Sequence, residues 1–376
     1  MASLRAPVTK VRQAVVKARQ APKLRVSSRQ LYCSATQAPR SVVSAPQSTT
    51  AQACSTVVAS TAARNAVRVT STRPYATHAT APEPSIHPVF ENFTNTWQYI
   101  VADPTTKKAA IIDPVLDYDP ATQKISTKTA DALLGLIKEK GYQVDMILET
   151  HAHADHLTAA SYLQKRLSQD QGERPPIGIG KRIVDVQKRW ADRYKIPAEE
   201  YENVFDILWD DEQTFKIGNL EVKTHHLPGH TPDHIGYQIG DNVFCGDSLF
   251  PADLGTARAD FPGGNAKTLW QSGRKLLGLP EDTKIWVGHD YPPEGLEGRD
   301  PYLTVGHHKK QNKHIKDDLT EDEYVKLRNE RDATLAEPKL LHQSLQINIR
   351  AGRLPKPTDS GLQLLHLPLK TQGLEW

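Results

Sequence analysis

Cysteine is scarce in this chain: three in 376 residues, Cys33, Cys54 and Cys245. Only Cys245 lies beyond the N-terminal stretch, so neither a disulfide framework nor a cysteine-based zinc finger can be built. Long apolar runs are missing as well. None approaches the ~18 residues that a spanning helix needs, and mean hydropathy is −0.54, so no membrane span is expected. Acidic residues are absent from residues 1–82, which carry 12 Lys and Arg; the first carboxylate is Glu83. Removing those 12 from the 47 bases leaves 35 against 44 acids, so residues 83–376 carry −9. A body of that sign disfavours nucleic acid and anionic membranes as partners.

The acid-free leader has its own pattern. Leu4, Val8, Val11 and Val15 share one helical face, and Arg5, Arg12 and Arg19 recur beside it. A basic amphipathic segment without acids has the texture of a mitochondrial transit peptide, and no continuous apolar stretch suggests a secretory signal. The leader, residues 1–82, is therefore read as an address followed by disordered chain, and the mitochondrial matrix as the destination. About 290 residues remain, enough for one large core with a small addition.

From Ile86 onward the chain alternates short apolar strands with helices. Tyr99 to Val101 and Ala109 to Ile112 flank the turn Asp103-Pro104 and read as a hairpin. Ala130, Leu133, Leu134 and Ile137 predict a helix stopped by Gly141. Val144 to Leu148 reads as a strand, and Leu157, Ala160, Leu163 and Leu167 as a helix. Further strands are expected at Ile177 to Ile179, Leu220 to Thr224, Ile235 to Ile239, Val243 to Cys245 and Ile285 to Val287. Helices are expected through Ile183 to Tyr194 and Leu269 to Leu277, and from the capping box Thr320/Glu323 through Leu335. This order predicts an α+β fold of two sheets between helical layers, residues 83–295, with residues 296–376 as a helical appendage.

The histidines collect at strand ends. His151, His153, Asp155 and His156 follow the strand Val144 to Leu148 directly. Imidazoles and a carboxylate spaced this closely on a loop can converge on one point, as a divalent metal requires. His230, Asp247 and His289 repeat the placement, each after a predicted strand and each preceded by glycine. His225 and His226 read as strand-border residues, and His234 is left open. The stretch His307, His308, Lys309, Lys310, Lys313, His314 reads as a solvated basic loop that could meet an anionic substrate tail.

The order His151-x-His153-x-Asp155-His156, His230, Asp247, His289 resembles the metallo-β-lactamase superfamily and its αββα sandwich. The phrases THAHADHLTAA, LPGHTPDHIGY, FCGDSLF, GTARADFPGG and VGHDYPP look most like the persulfide dioxygenases, with the glyoxalase II hydrolases next. The tail DATLAEPKLLHQSLQINIRAGRLP is similar to bacterial members of the same group. The resemblance implies one Fe(II) per chain held by His151, His230 and Asp247, a two-His, one-carboxylate triad with open positions for dioxygen. His153, Asp155, His156 and His289 would then orient those ligands and line the pocket. It implies oxidation of glutathione persulfide, or a similar persulfide, by O2 to sulfite and free thiol. Arg258 could pair with a substrate carboxylate, the alternative being an ion pair with Asp260, and Tyr291 could hydrogen-bond the bound sulfur. In the hydrolase alternative the same seven residues hold two metals such as zinc, bridged by Asp247, and water attacks a thioester.

The segment Arg73-Pro74-Tyr75-Ala76 resembles a matrix-peptidase site that cuts after Tyr75. The mature chain is expected to begin near Ala76. N-terminal sequencing of protein recovered from the organelle checks this, and an intact Met1 would contradict it.

Overall fold

The computed structural model describes residues 82–292, 300–373 and 375. The transit-peptide and cleavage-site expectations lie outside the described residues.

Alternating apolar residues build the first sheet, and its two faces can be read from the side chains. The strands are β1 (Ser85–Glu91), β2 (Thr96–Ala102) and β3 (Lys108–Ile112). A small sheet begins with β4 (Val115–Asp119) and β5 (Lys124–Ser126); α1 (Lys128–Lys140) follows and closes at Gly141 in the left-handed region. Then come β6 (Gln143–Leu148), β7 (Leu157–Thr158), α2 (Ala160–Gln171), β8 (Ile177–Gly180), α3 (Ile183–Tyr194), α4 (Ala198–Tyr201) and β9 (Ile207–Trp209). The first sheet has the order β1-β2-β3-β6-β8-β9, antiparallel at β1-β2-β3 and parallel beyond. Ile100, Ala102, Ala109 and Ile111 face outward onto α1, α2 and α3. Their neighbours Tyr99, Val101, Ala110 and Ile112 face inward, as the period of two requires.

The second sheet completes the inner layer. Its strands are β10 (Thr214–Ile217), β11 (Leu220–His226), β12 (Ile235–Ile239), β13 (Asn242–Phe244), β14 (Lys284–Trp286) and β15 (Tyr302–Thr304), in that spatial order. Helix α5 (Ala266–Leu277), capped by the Asn265 side chain, crosses from β13 to β14 and lets them pair in parallel. Ile217, Val222, Tyr237, Phe244 and Trp286 meet the inward face of the first sheet. Val243, Ile285, Leu269 and Trp270 pack on the outer side, with α6 (Val305–Gln311) and α7 (Glu321–Asp332). The arrangement is the expected sandwich of two mixed sheets between helical layers.

Two sequence expectations differ from the structure. Leu157 belongs not to a helix but to β7, which pairs with β4; the helix starts at Ala160. The basic stretch from His307 begins inside α6 rather than in a loop. The expected helical C-terminal region is present, and it packs against the body. β15 closes the edge of the second sheet, and α8 (Leu341–Asn348) places Leu341, Leu345 and Ile347 in the core of the first helical layer. The sequence gives no separate signal for helix α8, because two short turns after Pro338 carry little periodicity of their own.

Leu345 is 2% exposed. Leu345→Ala is expected to destabilise the whole described body by about 2–5 kcal/mol. Chemical denaturation followed by tryptophan fluorescence checks this; an unmoved main transition would mean the C-terminal segment folds apart from the core.

Candidate metal centre

The loop from Glu149 to His156 leaves the buried end of β6 and is tied down at both ends. At its start, Thr150 donates its N–H and its hydroxyl to the two oxygens of buried Asp113, at 2.7 and 2.9 Å. Within it, the Ala152 N–H reaches Asp233 Oδ2 at 2.9 Å. At its end, Asn348 at the close of α8 donates to the carbonyls of His153 and His156 and accepts from the Thr158 N–H, each at 2.8 Å. A loop so fully bonded can be buried without unsatisfied backbone groups.

His151, His230 and Asp247 converge. Each offers a donor atom within 4.8 Å of the other two, and all three residues are buried. Asp247 Oδ2 stands 4.0 Å from His151 Nε2 and 3.6 Å from His230 Nε2. Each imidazole is oriented from behind. Thr150 gives its hydroxyl proton to Asp113, so its oxygen is left to accept from His151 Nδ1, 2.9 Å away. His230 Nδ1 donates to the Arg258 carbonyl at 2.8 Å. In both rings the Nε2 lone pair is then turned toward the centre. Asp247 is set by its own N–H, which donates to His234 Nε2 at 3.0 Å, and the His234 ring stacks on His151 with centroids 4.7 Å apart. The undetermined His234 is thus a positioning group.

The glycines before Asp247 and His289 have steric reasons to be glycine. Gly246 has φ of +47°, and a Cβ at Gly288 would stand 2.5 Å from Asp247 Oδ1.

The other four motif residues surround this centre. His289 Nε2 lies 3.2 Å from Asp155 Oδ2 and 3.5 Å from Asp247 Oδ1, and its Nδ1 faces the Asn95 carbonyl. His153, Asp155 and His156 bring donor atoms within 4.8 Å of one another as a second group. His153 stands outside the His151, His230, Asp247 set. Its Nε2 is 3.1 Å from Asp113 Oδ1 and 3.3 Å from Glu149 Oε2. Burial alone would lower its pKa, but the Asp113 and Glu149 carboxylates raise it well above the usual imidazole value. His151 moves the opposite way, well below that value, through burial and then the surrounding imidazoles. Burial brings His156 down to about 3.

These residues fit a bound metal ion. His151 Nε2, His156 Nε2 and Asp247 Oδ1 are buried and have no hydrogen-bond partner among the described residues. Orphaned acceptors of this kind are costly unless a cation fills the space between them. Neutral nitrogen and anionic oxygen donors suit a divalent ion.

A cavity of about 600 Å³ opens onto this centre. Asp155, His230 and Asp247 lie at its inner end, Phe250, Leu254 and Phe261 on its walls, and Lys313, Arg331 and Lys339 further out. The two sequence-expected substrate residues both line it. Tyr291 stacks its ring on His289 at 5.8 Å. The Arg258 guanidinium is already engaged: it holds both oxygens of Asp260 at 2.6 and 2.7 Å and donates to the Ala336 carbonyl at 2.8 Å. It also lies over Phe261, whose edge meets His230. Of the two roles expected for Arg258, the structure displays the ion pair, which buttresses His230. Asp113, Glu149 and Asn348 were missed. The first two precede a Pro and a Thr in unremarkable strand ends, and Asn348 is remote in sequence from everything it touches.

Asn348→Ala removes three hydrogen bonds from the metal loop at once. It is expected to weaken metal binding about 10-fold or more, measured by chelator competition, in a protein whose circular dichroism is unchanged. Unaltered affinity would show that the loop holds its shape without this anchor.

The family described as the metallo-beta-lactamase superfamily matches residues 92–289. Glyoxylase B2 of Dictyostelium discoideum is 45% identical over 289 residues, covering 76% of this chain and 96% of that protein. The mitochondrial persulfide dioxygenase ETHE1 of Homo sapiens is 27% identical over 267 residues, covering 70% of this chain and 87% of that one. The crystal structure of ETHE1 from Myxococcus xanthus superposes with a TM-score of 0.56 at 25% identity, over 72% of this chain and 100% of that chain. With strand ends, donor residues and matched span in agreement, this chain belongs to the metallo-beta-lactamase superfamily.

Proposed function

We propose that this metal-dependent enzyme is a persulfide dioxygenase, using one Fe(II) held by His151, His230 and Asp247. The observation that carries the reading is the convergence of two imidazoles and one carboxylate, with His153 drawn aside toward Asp113 and Glu149. Three protein donors leave coordination positions for two small ligands. The likeness to the human and Myxococcus xanthus proteins supports the same chemistry. The leader without acids supports action in the mitochondrial matrix.

The reaction is RSSH + O2 + H2O giving RSH and H2SO3; the outer sulfur is oxidised and dioxygen is reduced by four electrons. Bound Fe(II) would supply the redox step that joins sulfur to oxygen. The chain's own residues bind, orient and shield. His151 and His230 turn their Nε2 atoms to the centre, fixed by Thr150 and the Arg258 carbonyl. Phe250, Leu254 and Phe261 give the cavity apolar walls. Tyr291, stacked on His289, offers a hydroxyl at the cavity wall. Lys313, Arg331 and Lys339 provide positive charge for the carboxylates of a thiol such as glutathione.

A second reading has its own support. The donors of His153, Asp155 and His156 form a second cluster, and glyoxylase B2 is the more similar relative. Two metals and a thioester hydrolase would follow.

Anaerobically purified protein is expected to hold about one iron per chain and to consume oxygen when given glutathione persulfide. Asp247→Ala should abolish metal binding, while His153→Ala should retain most of the iron. Two metal ions per chain, loss of metal in His153→Ala and rapid thioester cleavage without oxygen uptake would replace this reading with the hydrolase.

A further inference from the structure

A second, smaller cavity of about 240 Å³ lies beside the first. Val115, Leu116 and Leu157 line its walls, and it reaches inward to His156. Phe93, Thr94 and Leu340 line both cavities, so the two adjoin at these residues. Thr94 is tied to the centre through its neighbours: its hydroxyl is 2.8 Å from that of Thr96, which in turn is 3.3 Å from His289 Nδ1. Phe93, 64% exposed, stands on the turn between β1 and β2.

The two cavities differ in charge. Around the small one stand Glu91, Asp117 and Asp119 against the single cation Lys124. Those carboxylates are fixed in place. Glu91 accepts from the Phe93 and Thr94 N–H groups, Asp117 from Thr129, and Asp119 from Ala121 and Thr122. The large cavity carries Lys313, Arg331 and Lys339 at its outer part. An anionic molecule is therefore drawn to the large cavity and repelled from the small one. A small, neutral, apolar molecule has no such bias and gains from apolar walls.

A reaction that joins two substrates at one buried centre has a traffic problem. A thiol-sized molecule bound in the large cavity would share that mouth with the second reactant, whereas the small cavity offers a separate opening. We propose that the small cavity is the binding pocket and entry path for dioxygen, which crosses the Phe93, Thr94 and Leu340 partition to reach the metal centre. The inference rests on the dioxygenase reading.

Ser126, exposed on β5, lines the small cavity and not the large one. Ser126→Trp would obstruct its mouth, and Leu116→Phe would narrow its interior. With the iron-loaded enzyme, both are expected to raise the KM for oxygen several-fold, leaving the KM for glutathione persulfide and the iron content unchanged. Crystals of the unmodified protein under xenon pressure are expected to show the gas between Leu116 and Leu157, and crystals of Leu116→Phe to lack it. If Leu116→Phe fails to fold, Ser126→Trp still decides the kinetic question. Intact oxygen uptake with an unmoved oxygen KM in the folded variants would overturn the entry path alone. An unmodified protein that consumes no oxygen would instead remove the dioxygenase reading beneath it.

Discussion

The structure is organised around the cost of burying several metal donors side by side. Imidazole and carboxylate groups out of water are destabilising unless their polar atoms are paired. Here the outward-facing atoms are paired with protein and some inward-facing ones are left open. Thr150, the Arg258 carbonyl and the Asn95 carbonyl take the far nitrogens of His151, His230 and His289. The open Nε2 of His151 and Oδ1 of Asp247 are then a standing demand for a cation. A rigid scaffold is what keeps that demand from being relieved by collapse of the side chains onto one another.

That scaffold is assembled from distant parts of the chain. Asp113 follows β3, His151 follows β6, His230 follows β11, Asp247 follows β13 and His289 follows β14. Paired strands fix the relative heights of these ends, so the donors inherit the precision of the sheets. The C-terminal helix adds the last constraint, because Asn348 bonds the loop backbone rather than any ligand side chain. The cavity wall has a similar construction. Buried Arg328 holds Asp332 within α7 and donates to the Thr256 carbonyl, while Asp332 accepts from the Ala259 N–H. The helix is thereby bolted to the segment that presents Arg258 and Phe261 to His230.

His153 belongs to two clusters of donor atoms, one with Asp155 and His156 and one with Asp113 and Glu149. Asp113 and Glu149, with Thr158 bonded to Glu149, hold the His153 ring through its Nε2 atom.

The donor types and their positions at strand ends were legible in the sequence, because apolar strands followed by Gly-His, Gly-Asp and the His151 to His156 cluster are local patterns. The sandwich was legible for the same reason: strand and helix periodicities are set by near neighbours. What only the tertiary structure decided was partnership. Arg258 could have faced a ligand or Asp260, and the nearby Ala336 carbonyl, brought up by the segment after α7, helps hold its guanidinium beside Asp260. His234 could have been a surface residue, and strand pairing between β11 and β12 sets it behind Asp247. Asn348 carried no signal, since its hydrogen bonds exist only after α8 docks on the first helical layer. Contacts between residues far apart in the chain depend on how whole layers pack, and no short stretch of sequence encodes that.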